Sequence, residues 1–327
     1  MTRIAHPTPP DKSFWRNKSI EERQRWTDHF YINHPDIKAI FSDFLQKLEH
    51  CGRSGRYAGM LIIGPSGSGK TTLTRKMMAV ANDLYGKTEL ERTICPVIQF
   101  AIPDPCTPLE FSVAILRALG DPNPRGRKNK ASTIEAAERF LSECDVRLIL
   151  LDNFQDIPAR RAARGIELVG ARLRELIDSS AALWVFLGTS EALKVVNSDP
   201  QLVKRISYKA HLRYFDIKEG AKTFLMLLQK VDMWLPLAEA SCVSDARHAG
   251  LIYLATEGIF ERLVQLVDSG WFLALKAGRE TMLLEDLEAA FRFVHGPQPS
   301  ATNPFHPEFV THRLVAKGDP FEVMRGQ

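Results

Sequence analysis

The residues Gly64-Pro65-Ser66-Gly67-Ser68-Gly69-Lys70-Thr71-Thr72 bring together the kinds of group that a polyphosphate needs. Glycines at 64, 67 and 69 let the backbone turn tightly with its N–H groups pointing inward, which makes a nest for an anion. Lys70 supplies a cation for β- and γ-phosphate oxygens, and the Thr71 hydroxyl is a ligand for Mg²⁺. The apolar run Met60-Leu61-Ile62-Ile63 precedes this loop and a helical pattern follows it. A strand and a helix N-terminus therefore flank the loop, and the helix adds its unpaired N–H groups and positive dipole end. The chemistry implied is binding of a nucleoside triphosphate, ATP with Mg²⁺, on residues 64–72.

A second candidate site follows the apolar run Leu148-Ile149-Leu150-Leu151, which ends in Asp152-Asn153. A carboxylate there suits the Mg²⁺ shell, as in other phosphate-loop enzymes. Hydrolysis also needs a group that takes a proton from the attacking water. The neutral amide of Asn153 is no general base. Turnover is then slow, or Gln155 or Asp156 orients the water; Asn153 could itself position it, as a glutamine does in some GTPases. Binding is the firmer expectation. Thr189, in Gly188-Thr189-Ser190, either senses the γ-phosphate or caps the helix that follows. Arg205 ends a helical stretch, where it complements the dipole or, in a ring or filament, faces a neighbouring subunit's nucleotide. Arg262 opens a late helix, as a nucleotide contact or as a surface arginine.

These side chains need a scaffold, and the hydrophobic pattern supplies one. Short apolar runs at 59–63, 97–102, 146–151 and 183–187, with a weaker one at 211–215, read as strands. Helical segments at about 70–85, 107–119, 132–143, 165–178 and 190–205 separate them. Strand–helix alternation of this kind predicts an α/β fold with a five-stranded parallel sheet flanked by helices. Before it, Ser19-Ile20-Glu21-Glu22 has the spacing of a capping box, and a further helix is expected over about 36–50. After residue 216 only helices are readable, at about 217–233, 244–256, 258–277 and 284–294. The expected domains are a flexible arm (1–18), N-terminal helices (19–58), an α/β nucleotide-binding domain (59–216), a small all-helical lid (217–295) and an extended Pro-rich tail (296–327). Phe305, Phe309 and Phe321 stand out in that tail as docking anchors, with disorder the simpler account.

At 327 residues, the chain is long enough for two domains with full cores. Its composition, 45% hydrophobic and 25% charged, is that of a soluble globular protein, and no apolar run is long enough to span a bilayer. Five scattered cysteines with no CxxC pair argue for reduced thiols in a cytoplasmic setting and against a zinc site. The net charge of +4 permits an anionic partner without requiring one.

Together, the head segment Ser19–Trp26, the phosphate loop, Gly188-Thr189, Gln201–Phe215 and Thr256–Leu263 resemble the AAA+ ATPase family in its transposition-regulator branch, typified by TniB and TnsC and more distantly by MuB. The resemblance spans roughly residues 15–295. It implies an ATP-dependent homo-oligomer, a ring or helical filament on duplex DNA, which presents its target to a DDE-type transposase and communicates with a TniQ-type targeting protein. The departure is Asn153, where that family usually has glutamate. The resemblance also points to the loop at 121–133, between the second and third strands, as a DNA-facing region, with Arg125, Arg127, Lys128, Lys130 and Thr133 as candidate contacts. Cations on a Pro/Gly loop suit backbone phosphates and imply no sequence readout. Arg160, Arg161 and Arg164 form a second, weaker cluster. Two alternatives stand beside this reading: another AAA+ machine such as a clamp or helicase loader, and a signalling NTPase switch with no nucleic acid.

Overall fold

Four of the short apolar runs become parallel strands, and the three interior ones are continuous because a strand buried on both faces needs apolar residues at consecutive positions. The computed structural model describes residues 8–27, 35–54, 58–86, 93–157 and 163–322. The chain divides into two units: residues 35–213, and a second unit that joins the residues before 35 to those from 214 onward.

In the first unit the strands are β1 (Ala58–Ile63), β2 (Val97–Ala101), β3 (Leu148–Asp152), β4 (Leu183–Gly188) and β5 (Tyr208–His211). Their order is β2-β3-β4-β1-β5, and every pairing is parallel. β4 thus lies between the strand that leads into the phosphate loop and the strand that ends in Asp152. Residues 148–151 and 183–186 have no exposed surface and form the centre of the core. The sheet is flanked by α2 (Pro35–Ser54), α3 (Lys70–Tyr85), α4 (Pro108–Ala118), α5 (Lys130–Glu143) and α6 (Ala163–Ser179), numbered after the α1 of the other unit. The helix expected over 190–205 is two, α7 (Ala192–Asn197) and α8 (Pro200–Arg205). Pro200 cannot continue a helix, and Asp199 caps the new one by accepting from Gln201 N. The last strand lies at 208–211 and not at 211–215. As an edge strand it carries an alternating half-exposed pattern in place of an apolar run.

The second unit is helical: α1 (Ile20–Thr27), α9 (Ile217–Trp234), α10 (Ala249–Thr256), α11 (Phe260–Lys276) and α12 (Leu284–His295). The capping box forms, with Ser19 Oγ accepting from Glu22 N (3.2 Å) and Glu22 Oε2 accepting from Ser19 N (2.9 Å). The stretches read as a loose arm and an extended tail are both folded here where they are described. Trp15 is buried and packs against Trp26, which stacks on Trp234. Phe305, Leu314 and Phe321 are buried in the helical core. Proline and polar residues dominate the tail's composition, but those apolar side chains anchor it.

Arg23 ties the first residues to the rest of this unit. Only 2% exposed, it donates to both carboxylate oxygens of Glu280 (2.8 and 2.9 Å) and to the carbonyls of Lys18 and Pro236. Its charge is thereby matched and its N–H groups are used, as burial of a guanidinium requires. The N-terminal helices expected over 19–58 accordingly belong to different units, α1 to the helical one and α2 to the sheet.

Candidate functional site

Parallel strands all end on the same side of a sheet, so the C-terminal ends of β1, β4 and β3 gather at one edge, where open α/β folds hold their ligands. Ile63 pairs with Gly188, and Leu151 with Phe186. One backbone bond, Gly64 N to Gly188 O (2.9 Å), fixes the phosphate loop to the end of β4. Another, Phe154 N to Leu187 O (2.8 Å), holds the turn after Asp152 against the same strand.

The loop has the conformation its glycines permit. Gly67 (φ 75°) and Gly69 (φ 96°) adopt left-handed backbone angles. A Cβ on Gly64 would stand 2.5 Å from Ser68 Oγ and 2.9 Å from Leu212 O, so only glycine fits there. Gly69 caps α3 without any side-chain hydrogen bond, which leaves the first-turn N–H groups directed at the loop's interior. Ser68 Oγ is buried with no hydrogen-bond partner among the described residues. Lys70 Nζ donates to the carbonyls of Gly64 (2.6 Å) and Pro65 (2.7 Å), folding across the loop. Pro65, Ser66 and Thr72 complete the turn and the start of the helix, and Thr71 is exposed in its first turn. This cradle fits a phosphate chain. Residues 64–72 would hold it, and Thr71 with Asp152 would hold Mg²⁺, which would neutralise phosphate oxygens.

The Asp152 carboxylate accepts from Asn153 N (2.8 Å). Asn153 has φ 57°, a left-handed conformation that asparagine tolerates better than most residues. Gln155 links it to β4: its Nε2 donates to Asn153 Oδ1 (3.3 Å) and its Oε1 accepts from Thr189 N (3.2 Å). Asp152, Asn153, Gln155 and Thr189 thus form one chain of contacts at the sheet edge. Gln155 is one of the three residues, with Asn153 and Asp156, that the sequence offers for orienting a water; its second partner, Thr189 N, could not be read from sequence because it follows another strand.

The remaining candidates fall elsewhere. Arg205 ends α8, bound to both Asp178 carboxylate oxygens (2.6 and 2.5 Å) and to the Gln201 carbonyl (2.9 Å). Arg262 belongs to the helical unit, where its guanidinium lies 3.9 Å from the centre of the Phe321 ring and near Tyr214 and His295. Of the basic loop, Arg125 makes a two-pronged pair with Glu110 (2.8 and 2.5 Å) and Arg127 pairs with Asp121 (2.7 Å). Lys128 and Lys130 make no ion pair among the described residues. Thr133 is a correction. It is 3% exposed in the first turn of α5, its hydroxyl donating to Asn129 O (3.3 Å), and so is turned away from any partner. Arg160 and Arg161, and the side chain of Arg164, lie outside the described residues.

With that geometry in place, comparison with known proteins is decisive for the family. The model for the bacterial TniB protein matches residues 23–215, more than half of the chain. The chain belongs to the TniB family. No curated protein sequence matches it. Solved structures similar to this TniB-family chain include Cdc6p from Pyrobaculum aerophilum, at 16% identity and TM-score 0.59 over 90% of this chain and 74% of that one. Another is the Aeropyrum pernix ORC2 protein in ADPNP–ADP complexes, at 19% identity and TM-score 0.57 over 84% and 72%. A third is the Aeropyrum pernix ORC1 protein in complex with DNA, at 16% identity and TM-score 0.53 over 83% and 67%. At these identities the likeness establishes the fold, an AAA+ core with a helical C-terminal domain. No helix among the described residues is long and apolar enough to cross a membrane.

Proposed function

We propose that this chain is a nucleotide-gated DNA transposition regulator. It binds ATP and Mg²⁺ on residues 64–72 with Asp152, and in that state assembles with copies of itself on duplex DNA. There it recruits or activates a DDE-type transposase and links it to a TniQ-type target-selection protein. The observation that carries this reading is the phosphate cradle at the β1–β4–β3 edge in a chain of the TniB family. The DNA-bound state of an AAA+ neighbour, the Aeropyrum ORC1 protein, is in keeping with it.

Lys128 and Lys130 are the basic-loop cations best able to meet DNA phosphates, with Arg125 and Arg127 contributing once their carboxylate partners are exchanged. Arg205 acts on a neighbouring subunit's nucleotide only if it releases Asp178, so its role in trans is tied to assembly. Thr189 is a further nucleotide contact on this reading. Asn153 makes the protein a holder of ATP more than a consumer of it.

Filter binding of duplex DNA with a non-hydrolysable ATP analogue tests the proposal. Affinity should rise with the analogue and fall steeply with salt, and Lys70→Ala should abolish both analogue binding and DNA-bound oligomers. DNA affinity that responds to neither nucleotide nor salt would refute the DNA-regulator reading.

A further inference from the structure

Gln155 has one hydrogen bond whose direction is fixed. A backbone N–H can only donate, so the group that faces Thr189 N at 3.2 Å must be the carbonyl Oε1 of Gln155. Its other end is then the amide Nε2, a donor, and what meets it 3.3 Å away must be the acceptor of Asn153, Oδ1. The Asn153 side chain is left presenting its own NH₂ group, with no partner among the described residues. The contact depends on Gly188, since a Cβ there would stand 2.9 Å from Gln155 Oε1. The Asn153 backbone is held as well, its N–H by Asp152 and its carbonyl by Asp156 N (2.8 Å).

We propose that Gln155 is a positioning residue that aims the Asn153 NH₂ toward the γ-phosphate, so that this pair of amides distinguishes ATP from ADP. A donor at this point can bind a phosphate oxygen and cannot accept a proton from water. Where glutamate would activate a nucleophile, the oriented amide reads the presence of the third phosphate. Gln155 is thereby removed from the candidates for orienting the attacking water, since both ends of its side chain are engaged within the protein. The proposal rests on the nucleotide-binding reading above.

The test compares affinities of the full chain for a non-hydrolysable ATP analogue and for ADP, each with Mg²⁺, by titration calorimetry. Asn153→Gly suits the left-handed backbone and removes the amide, so the fold is kept. It should lower the ratio of analogue to ADP affinity about tenfold, the value of one hydrogen bond to a charged group. Asn153→Asp still accepts from Gln155 but turns a charged oxygen to the phosphate, and should lower the ratio further. Gln155→Met fills the same space without polar ends and should lower it in the same direction by freeing Asn153. A wild-type ratio in Asn153→Gly or Asn153→Asp overturns the proposal while leaving nucleotide binding intact. Failure of the wild-type protein to bind either nucleotide overturns both.

Discussion

The sheet unit and the helical unit hold their distinctive side chains by different means. In the sheet unit the site is built from backbone: strand ends, glycines with left-handed angles and a helix N-terminus, with side chains added at the last step. In the helical unit, the joining is done by side chains that meet across great lengths of chain. Arg23 pairs with Glu280 (2.8 Å), 257 residues away, and Arg313 of the tail pairs with buried Glu257 (2.6 Å). Arg262 stacks on Phe321, again from the tail. Backbone-built sites depend on local βα order, whereas the helical unit depends on a few contacts that nothing nearby in sequence can replace.

Three substitutions in the helical unit probe that dependence, each measured by denaturant unfolding followed through tryptophan fluorescence. Phe321→Ala should cost the most, about 4 kcal/mol, because it empties a buried aromatic site and removes the ring beneath Arg262. A cost below about 1 kcal/mol would mean that the tail is held by its other anchors. Arg23→Ala should cost about 3 kcal/mol, since it leaves buried carbonyls without donors and Glu280 without its partner. The partial exposure of Glu280 keeps the figure at the low end of the range for buried pairs.

The smallest effect is set by pH. Burial, helped by the nearby charge of Arg262, lowers the His295 pKa from 6.5 to about 4. Between those values the unfolded chain takes up a proton that the folded ring refuses. Stability is therefore full above about pH 6.5 and is lost as the pH falls toward 4. His295→Gln should flatten this part of the pH profile by on the order of 1 kcal/mol, since the ring is only partly buried. An unchanged profile would assign the acid sensitivity to other groups.

The same contrast explains what could be read from sequence. The helix after the phosphate loop, expected over 70–85, is Lys70–Tyr85, because the loop motif fixes its start and Gly86 its end. Four strands were visible as apolar runs: β1, β3 and β4 because burial on both faces leaves a continuous signal, and β2, half-exposed at the opposite edge of the sheet from β5, because its residues are apolar apart from Gln99. β5 was misplaced by a few residues because Tyr208-Lys209-Ala210-His211, at the sheet edge, carries no such run. The Gln155–Thr189 bond was invisible, as it joins two strands that are neighbours only in the folded sheet. Neutralisation of Arg125 by Glu110 was likewise hidden, since the partner sits in the preceding helix, 15 residues back. The tail was misread from composition, which records many prolines but not that Phe305, Leu314 and Phe321 meet a core.

The Arg23–Glu280 pair also sets an order of events during synthesis. At roughly 5–20 residues per second, Arg23 is added to the chain about 13–50 s before Glu280. Until residue 234 is made Trp26 lacks the ring it stacks on, and until residue 280 is made Arg23 lacks its carboxylate, while residues 35–213 already contain every strand of their sheet. A segment translated before the sheet unit is thus among the last to find its place. A nascent chain halted before residue 280 should carry a formed sheet and an N-terminal segment still open to proteolysis.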